Sequence, residues 1–194
     1  MDTITKPGWI EVITGPMFAG KSEELIRRIK RLEYAKKSVL VFRPRIDNRY
    51  SLDEVVSHSN ARRKSIVVDT SHEVLSYLKD DTYAVVIDEI QFFDMEIVSI
   101  CEHLANRGVR VIVAGLDSDF RGEPFSVTAE FLARAEYVTK LTAICVRCGS
   151  PGTKTQRIVN GRPAHYEDPI VVVGASEAYE PRCRHCHEVL GKSK

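Results

Sequence analysis

The stretch VITGPMFAGKS, residues 12–22, decides how the rest of the chain is interpreted. Its part from Gly15 to Ser22 matches the pattern G-x-x-x-x-G-K-[ST] and follows an apolar run at 9–14. Glycines in such a loop let backbone N–H groups converge on phosphate oxygens, while the lysine reaches the β and γ phosphates and the hydroxyl ligates Mg²⁺. A tight strand-to-helix turn that happens to contain a lysine is the alternative. The pattern predicts a phosphate-binding loop made of Gly15, Pro16, Met17, Phe18, Ala19, Gly20, Lys21 and Ser22.

Apolar runs of strand length recur along the first three quarters of the chain. They are WIEVITG (9–15), SVLVF (38–42), YAVVIDE (83–89) and VRVIVAG (109–115), and most are continuous rather than alternating, as in strands buried on both faces. Helical patterns lie between them, first at Leu25, Ile26, Ile29 and Leu32, and then in DMEIVSICEHLANRG (94–108). The sequence therefore predicts an α/β fold with a P-loop NTPase-like parallel sheet flanked by helices.

The character of the sequence changes near residue 143, where glycine, proline and paired cysteines replace the alternation of strands and helices. We predict a nucleotide-binding domain at 1–143 and a small zinc-ribbon-like lobe at 144–194. A segment of this size is too short for a self-sufficient core, and a structural metal would supply the missing stability.

Composition excludes several classes of protein. The 194 residues carry 28 Lys and Arg against 27 Asp and Glu, without the basic excess that binding to a phosphate backbone usually needs. The patch NARRKS (60–65) is interpreted as solvated surface. No apolar run approaches the roughly 20 residues of a membrane span, and the N-terminus lacks the features of a secretion signal. We expect a cytoplasmic protein that binds neither nucleic acid nor membrane.

An acidic pair ends the apolar run at 83–89. Asp88 and Glu89 would lie at the carboxyl edge of the sheet, which faces the same crevice as the phosphate-binding loop. Asp88 is a candidate partner of Mg²⁺, and Glu89 a candidate base for the nucleophile that attacks the γ phosphate. The pair alone leaves open whether that nucleophile is water or a substrate hydroxyl, and two solvated carboxylates at a strand end are the alternative.

Four of the five cysteines form two C-x-x-C pairs, Cys145 with Cys148 and Cys183 with Cys186, whereas Cys101 lies alone in a helical pattern. The pairs predict a tetrahedral zinc site, structural because four thiolates leave no position for water. An unligated set of buried cysteines is the alternative. His185 and His187 are possible competing ligands, but we expect both to face solvent.

Together these motifs resemble one family. GPMFAGKS, FRPRIDNRY, DEIQFF, GLDSDFRGEPF, the two cysteine pairs and VVVGASEAYEPRC occur in the order and spacing of the type II thymidine kinases, the kind that carries a zinc lobe. The resemblance covers nearly the whole chain. It implies transfer of the γ-phosphoryl group of ATP to the 5′-hydroxyl of thymidine, with Glu89 as the catalytic base. It also implies that Asp47, Arg49, Asp88 and Gln91 join the phosphate-binding loop in holding ATP and Mg²⁺.

The resemblance further implies that a lasso-like loop of the zinc lobe closes over the base, which is read largely by backbone groups. The substrate-binding residues carried over are Met17, Phe92, Leu116, Phe120, Phe125, Thr155, Ile170, Val171, Val172, Val173, Gly174 and Tyr179. Ordinary core packing is the alternative for Phe92 and Phe125. A homotetramer and feedback inhibition by thymidine triphosphate (dTTP) are implied by the resemblance alone.

Two other classes of protein share some of these motifs. An ATP-hydrolysing motor also places a glutamate beside its magnesium aspartate, but the chain shows neither a clear second core domain nor a basic track. A nucleic-acid-binding zinc ribbon with a vestigial nucleotide domain is disfavoured by the near-neutral charge.

Overall fold

The computed structural model describes residues 8–45, 54–56, 62–170 and 178–192. Within these, the strands are β1 (Trp9–Gly15), β2 (Val39–Pro44), β3 (Glu54–Val56), β4 (Arg62–Lys64), β5 (Ile66–Val68), β6 (Ala84–Ile87), β7 (Arg110–Leu116), β8 (Tyr137–Lys140), β9 (Ala143–Ile144), β10 (Pro151–Gly152), β11 (Lys154–Val159), β12 (Arg162–Pro163) and β13 (Ala178–Arg182). The helices are α1 (Lys21–Tyr34), α2 (Glu73–Ser76), α3 (Glu96–Asn106) and α4 (Ser126–Arg134), with a short 3-10 helix at Ile90–Phe92.

A six-stranded sheet of order β5-β2-β6-β7-β1-β8 forms the centre of the molecule, and the strand pairs within it are parallel. The four apolar runs identified in the sequence form β1, β2, β6 and β7. The predicted α/β fold, with a parallel sheet flanked by helices, is therefore confirmed.

Each long strand supplies apolar side chains to both faces of the sheet. Ile13 of β1 packs in one cluster with Leu25 and Ile29 of α1, whereas Val12 belongs to a cluster with Ile97 of α3. Alternate residues of a strand point to opposite faces, so a continuous apolar run is what a sheet covered on both sides requires. The result is a three-layer core.

One charged residue, Glu11, interrupts the apolar run of β1 and is only 5% exposed. Its carboxylate accepts hydrogen bonds from Arg110 Nε at 2.5 Å, Arg28 Nη1 at 2.5 Å and Trp9 Nε1 at 2.6 Å. Burial opposes ionisation of Glu11, but the bonds from Arg110 and Trp9 and the charges of both arginines lower its pKa overall. The buried charge is thus paired by groups from α1 and β7.

The C-terminal segment, residues 143–170 and 178–192, forms two small antiparallel sheets, β10-β9 and β12-β11-β13. They begin directly after the last strand of the central sheet. The domain boundary placed near residue 143 stays a prediction.

In the part of the chain that the structure describes, no helix has both the length and the apolar composition needed to cross a bilayer.

Candidate functional site

The candidate site lies at the carboxyl edge of the central sheet, where parallel strands deliver their following loops to one crevice. β1 leads there into the β1–α1 loop (16–20), β6 into the acidic pair, and β7 into the β7–α4 loop (117–125). The C-terminal segment touches the same edge, because Thr155 Oγ1 accepts a hydrogen bond from the backbone N–H of Met17 at 3.0 Å.

The β1–α1 loop has the backbone form that an anion cradle needs. Phe18 has φ 65 and Gly20, which caps α1, has φ 83, so both lie in the left-handed region. Left-handed residues within such a turn direct successive N–H groups to one side, beside the positive end of a helix. A side chain at Gly15 (φ 143) would place a Cβ 2.4 Å from Leu141 O, which explains the glycine there. The residues present therefore fit a bound phosphate.

Lys21, at the start of α1, bends back over this loop. Its Nζ donates to Pro16 O at 2.8 Å. The ammonium group of Lys21 thus contacts the loop whose bound phosphate it would neutralise. Ser22 follows in the first turn of α1 and is half-buried.

The acidic pair lies one strand away from β1, across β7. Asp88 is 9% exposed, and its Oδ1 accepts the backbone N–H of Glu89 at 2.9 Å. Glu89 has φ 52 and ψ 43, a left-handed conformation that is uncommon for a residue with a side chain. This turn ends β6 and leaves Glu89 half-buried at the edge of the crevice.

Gln91 links the acidic pair to β7. Its Nε2 donates to Glu89 Oε2 at 2.5 Å, and its Oε1 accepts the backbone N–H of Leu116 at 3.0 Å. The predicted role of Gln91 in holding ATP and Mg²⁺ stays a prediction. Its contact with Glu89 was not expected, although the two-residue spacing in DEIQ is a signal that could have suggested it.

Aromatic side chains follow the acidic pair and the end of β7. Phe92 and Phe125 meet edge to face, with ring centroids 6.4 Å apart and an interplanar angle of 69°. Phe120 is 3% exposed and packs against the guanidinium groups of Arg121, 5.5 Å from its ring, and Arg157, 5.1 Å from its ring.

The β7–α4 loop is bound to the C-terminal segment by groups that belong to no motif. His187 Nε2 lies 2.8 Å from Phe120 O, and Lys192 Nζ donates to Arg121 O at 2.6 Å. Arg121 Nη2 donates in turn to Asp168 O at 2.7 Å. The expectation that His187 faces solvent is wrong, since the ring is half-buried against this loop and burial lowers its pKa. His185, by contrast, is exposed as expected.

The four paired cysteines converge in the C-terminal segment. The sulfur atoms of Cys145, Cys148, Cys183 and Cys186 all lie within 4.8 Å of one another. Cys148 Sγ and Cys183 Sγ are 3.6 Å apart. A tetrahedral zinc ion with Zn–S bonds of about 2.3 Å needs sulfur atoms about 3.8 Å apart. The cluster therefore fits zinc, with the four ligands that a structural site uses.

Backbone N–H groups favour the thiolate form of Cys145, the form that binds a metal ion. Burial opposes ionisation of Cys145, but N–H groups of Cys183, Arg147 and Cys148 lower its pKa to about 6. Hydrogen bonds with Cys148 and Cys183 instead raise the pKa of Cys186 to about 12. A divalent ion binds cysteine sulfurs as thiolates, so metal binding would release protons from the cluster.

Some predicted residues lie outside the described part of the chain or at its margin. Asp47, Arg49, Val171, Val172, Val173 and Gly174 lie outside the described residues. Ile170 is 42% exposed, and Tyr179 is half-buried on β13, opposite Arg157 of β11.

The fold and the cysteine cluster define an α/β protein whose C-terminal segment carries four cysteines placed to hold a metal ion. A family model described as thymidine kinase matches residues 8–187. The chain belongs to the thymidine kinase family, and the four cysteines fit its zinc-containing type. Membership implies a phosphotransferase of the kinase class.

Proposed function

We propose that the protein transfers the γ-phosphoryl group of ATP to the 5′-hydroxyl of thymidine, giving thymidine monophosphate as a DNA precursor in pyrimidine deoxynucleoside salvage. One observation carries the proposal in a chain of this family: Glu89 lies at the same sheet edge as the β1–α1 loop, and its carboxylate accepts a hydrogen bond from Gln91. A carboxylate opposite a phosphate cradle is what an acceptor alcohol needs if it is to lose a proton as it attacks.

The donor side of the reaction is assigned to the β1–α1 loop and the start of α1. Backbone N–H groups of this loop bind the phosphates of ATP, and Lys21 moves from Pro16 O to the β and γ oxygens. Asp47 and Arg49 assist at the triphosphate. Fixing the γ-phosphoryl in line with the acceptor contributes more to the rate than any single contact, because phosphoryl transfer depends mainly on position and charge.

Mg²⁺ is assigned to Ser22 and Asp88, with Gln91 nearby. When bound, the ion neutralises charge that develops on the phosphate oxygens. The Ser22 hydroxyl follows the cradle directly, and Asp88 is held by the neighbouring backbone N–H of Glu89. These two oxygen ligands are of the hard type that magnesium prefers.

The acceptor side is assigned to the aromatic pair, the β7–α4 loop and the C-terminal segment. Phe92, Phe120, Phe125 and Tyr179 stack against or line the base, and Met17, Leu116 and Thr155 surround its 5-methyl group. The hydrogen bond from Met17 to Thr155 supports this assignment, because it joins two of these residues. Ile170 to Gly174 would read the edge of the base through backbone groups, which discriminates sharply because a mismatched base leaves buried polar groups unpaired.

The proposal extends to the setting of the enzyme. Zinc bound by the four cysteines holds the C-terminal segment in its folded form. The resemblance to the zinc-containing type implies a cytoplasmic location, a homotetramer and inhibition by dTTP. In that inhibition dTTP would enter the acceptor site with its phosphates toward the β1–α1 loop.

The test is a panel of nucleosides incubated with γ-labelled ATP and Mg²⁺ and scored for labelled monophosphate. We expect label in thymidine monophosphate and little in purine nucleotides. A reaction without nucleoside is the control, and we expect little release of labelled phosphate from it. Rapid ATP hydrolysis that no nucleoside changes would instead indicate a motor-type ATPase and would contradict the proposal.

A further inference from the structure

We propose that Gln91 is a positioning residue, which fixes the orientation of the Glu89 carboxylate through its side-chain amide. The inference rests on the proposed function, since it concerns the base of that reaction. It adds a role to the contact with ATP and Mg²⁺ that the sequence predicts for Gln91.

The hydrogen bonds of Gln91 settle which end of its amide faces Glu89. The backbone nitrogen of Leu116 is a donor, so the group that it contacts at 3.0 Å must be the amide oxygen. The NH₂ group therefore faces Glu89, where it donates to Oε2 at 2.5 Å. Because an ionised carboxylate only accepts hydrogen bonds, this amide orientation matches the ionised form that a base must have before it takes a proton.

Packing leaves Gln91 little freedom to turn away. The residue is 7% exposed, and the preceding Ile90 is 0% exposed. Gly115 of β7 lies directly against the amide, because a Cβ built there would be 2.3 Å from Gln91 Oε1 and 2.8 Å from Ile90 Cγ2. The glycine thus makes room for the amide, and β7 forms the rigid support to which Gln91 is attached.

This support matters because Glu89 lies on a turn rather than within a strand. Its backbone is left-handed, with φ 52, and lies beyond the end of β6. None of the described strand pairs includes Glu89, so the direction of its side chain must be fixed by other contacts. The bond from Gln91 connects the carboxylate to the backbone of β7 in two steps. A shift of about 1 Å in a reacting group can lower a rate by about 100-fold, so a fixed orientation has catalytic value.

The experiment compares Gln91→Met, Gln91→Glu and the wild type in the thymidine reaction. Gln91→Met has a similar length and removes both hydrogen bonds. Gln91→Glu keeps an acceptor for Leu116 N–H but replaces the donor that faces Glu89 with a second acidic oxygen. We expect both variants to lower kcat by about 10- to 100-fold while KM for thymidine stays within about twofold. A residue that only braced β7 through Leu116 would leave the kcat of Gln91→Glu near the wild-type value.

A double-mutant cycle with Glu89→Gln supplies the second readout. If Gln91 acts through Glu89, then adding Gln91→Met to Glu89→Gln should lower kcat by less than about twofold further. Full additivity of the two losses would overturn the inference, as would a wild-type kcat in Gln91→Glu. A wild type that phosphorylates no nucleoside would overturn the proposed function and this inference together. An active wild type with unaffected Gln91 variants would overturn the inference alone.

Discussion

At the scale of single residues, Glu89 shares with Phe18 an unusual feature of the site, a left-handed backbone in a residue that has a side chain. A left-handed conformation in a residue with a side chain costs of the order of 1 kcal/mol or more, and such residues concentrate at functional sites. The sequence predicted that Asp88 and Glu89 lie at the end of a strand, because the apolar run before them is unambiguous. It could not predict the turn, because nothing in the letters DE specifies a positive φ.

Replacing Glu89 tests the base assignment. Glu89→Gln keeps the size of the side chain but removes its capacity to take a proton, so we expect kcat for thymidine phosphorylation to fall by about 10² to 10⁴. Binding of ATP and of thymidine, measured by calorimetry, should change little. Glu96→Gln, an exposed glutamate of α3, is the control and should keep the wild-type kcat. A near-normal kcat in Glu89→Gln would remove the base from the mechanism.

At the scale of secondary-structure elements, the sequence predicted the strands and helices that have a clear local pattern of apolar residues. β1, β2, β6 and β7 are long apolar runs, and α1 buries Leu25, Ile26, Ile29 and Leu32 as predicted. The edge strand β8 was not predicted, because Tyr137 and Val138 are exposed and its position depends on pairing with β1. Local pattern has no access to such distant partners.

Glu11 shows the same limit for a charge within a strand. Its partners Arg28 and Arg110 are 17 and 99 residues away along the chain. Glu11→Gln should therefore lower the free energy of unfolding by about 3 kcal/mol at pH 7, because both arginines lose their counter-charge. Urea denaturation measures the loss. Glu33→Gln, an exposed position on α1, should change stability by no more than about 0.5 kcal/mol.

The pH dependence of this difference has a definite sign. The pKa of Glu11 is lowered in the folded protein from its ordinary value of 4.5, so its contribution is present above pH 4.5 and is lost as the pH falls further. The stabilities of wild type and Glu11→Gln should converge below that pH. A difference that stayed constant down to pH 3 would show that the carboxylate charge is not the source of the loss.

At the scale of the whole molecule, the cysteine pairs were predicted because their spacing is independent of the rest of the fold. The contacts that attach the C-terminal segment to the sheet were not. They involve backbone oxygens of Phe120 and Arg121, together with His187 and Lys192, and backbone oxygens leave no mark on a sequence. The substrate residues named by resemblance at 171–174 lie outside the described part of the chain.

Zinc should hold this arrangement together. Cys183→Ser removes one of four ligands, so we expect zinc per chain, measured by inductively coupled plasma mass spectrometry, to fall from about one to near zero. Thymidine phosphorylation should be lost with the metal. Cys101→Ser is the matched control, because Cys101 lies on α3, buried in the core and outside the cluster, so this variant should keep its zinc. Freshly purified wild type without zinc would contradict the structural role.

The hydrogen bond between Met17 and Thr155 joins the donor side of the proposed active site to its acceptor side. A compound that bound between Met17 and Thr155 would break this hydrogen bond, and it would displace residues assigned to both substrates at once. By linkage, each substrate would in turn weaken the binding of that compound. Such a compound would not need to resemble a nucleotide or a nucleoside.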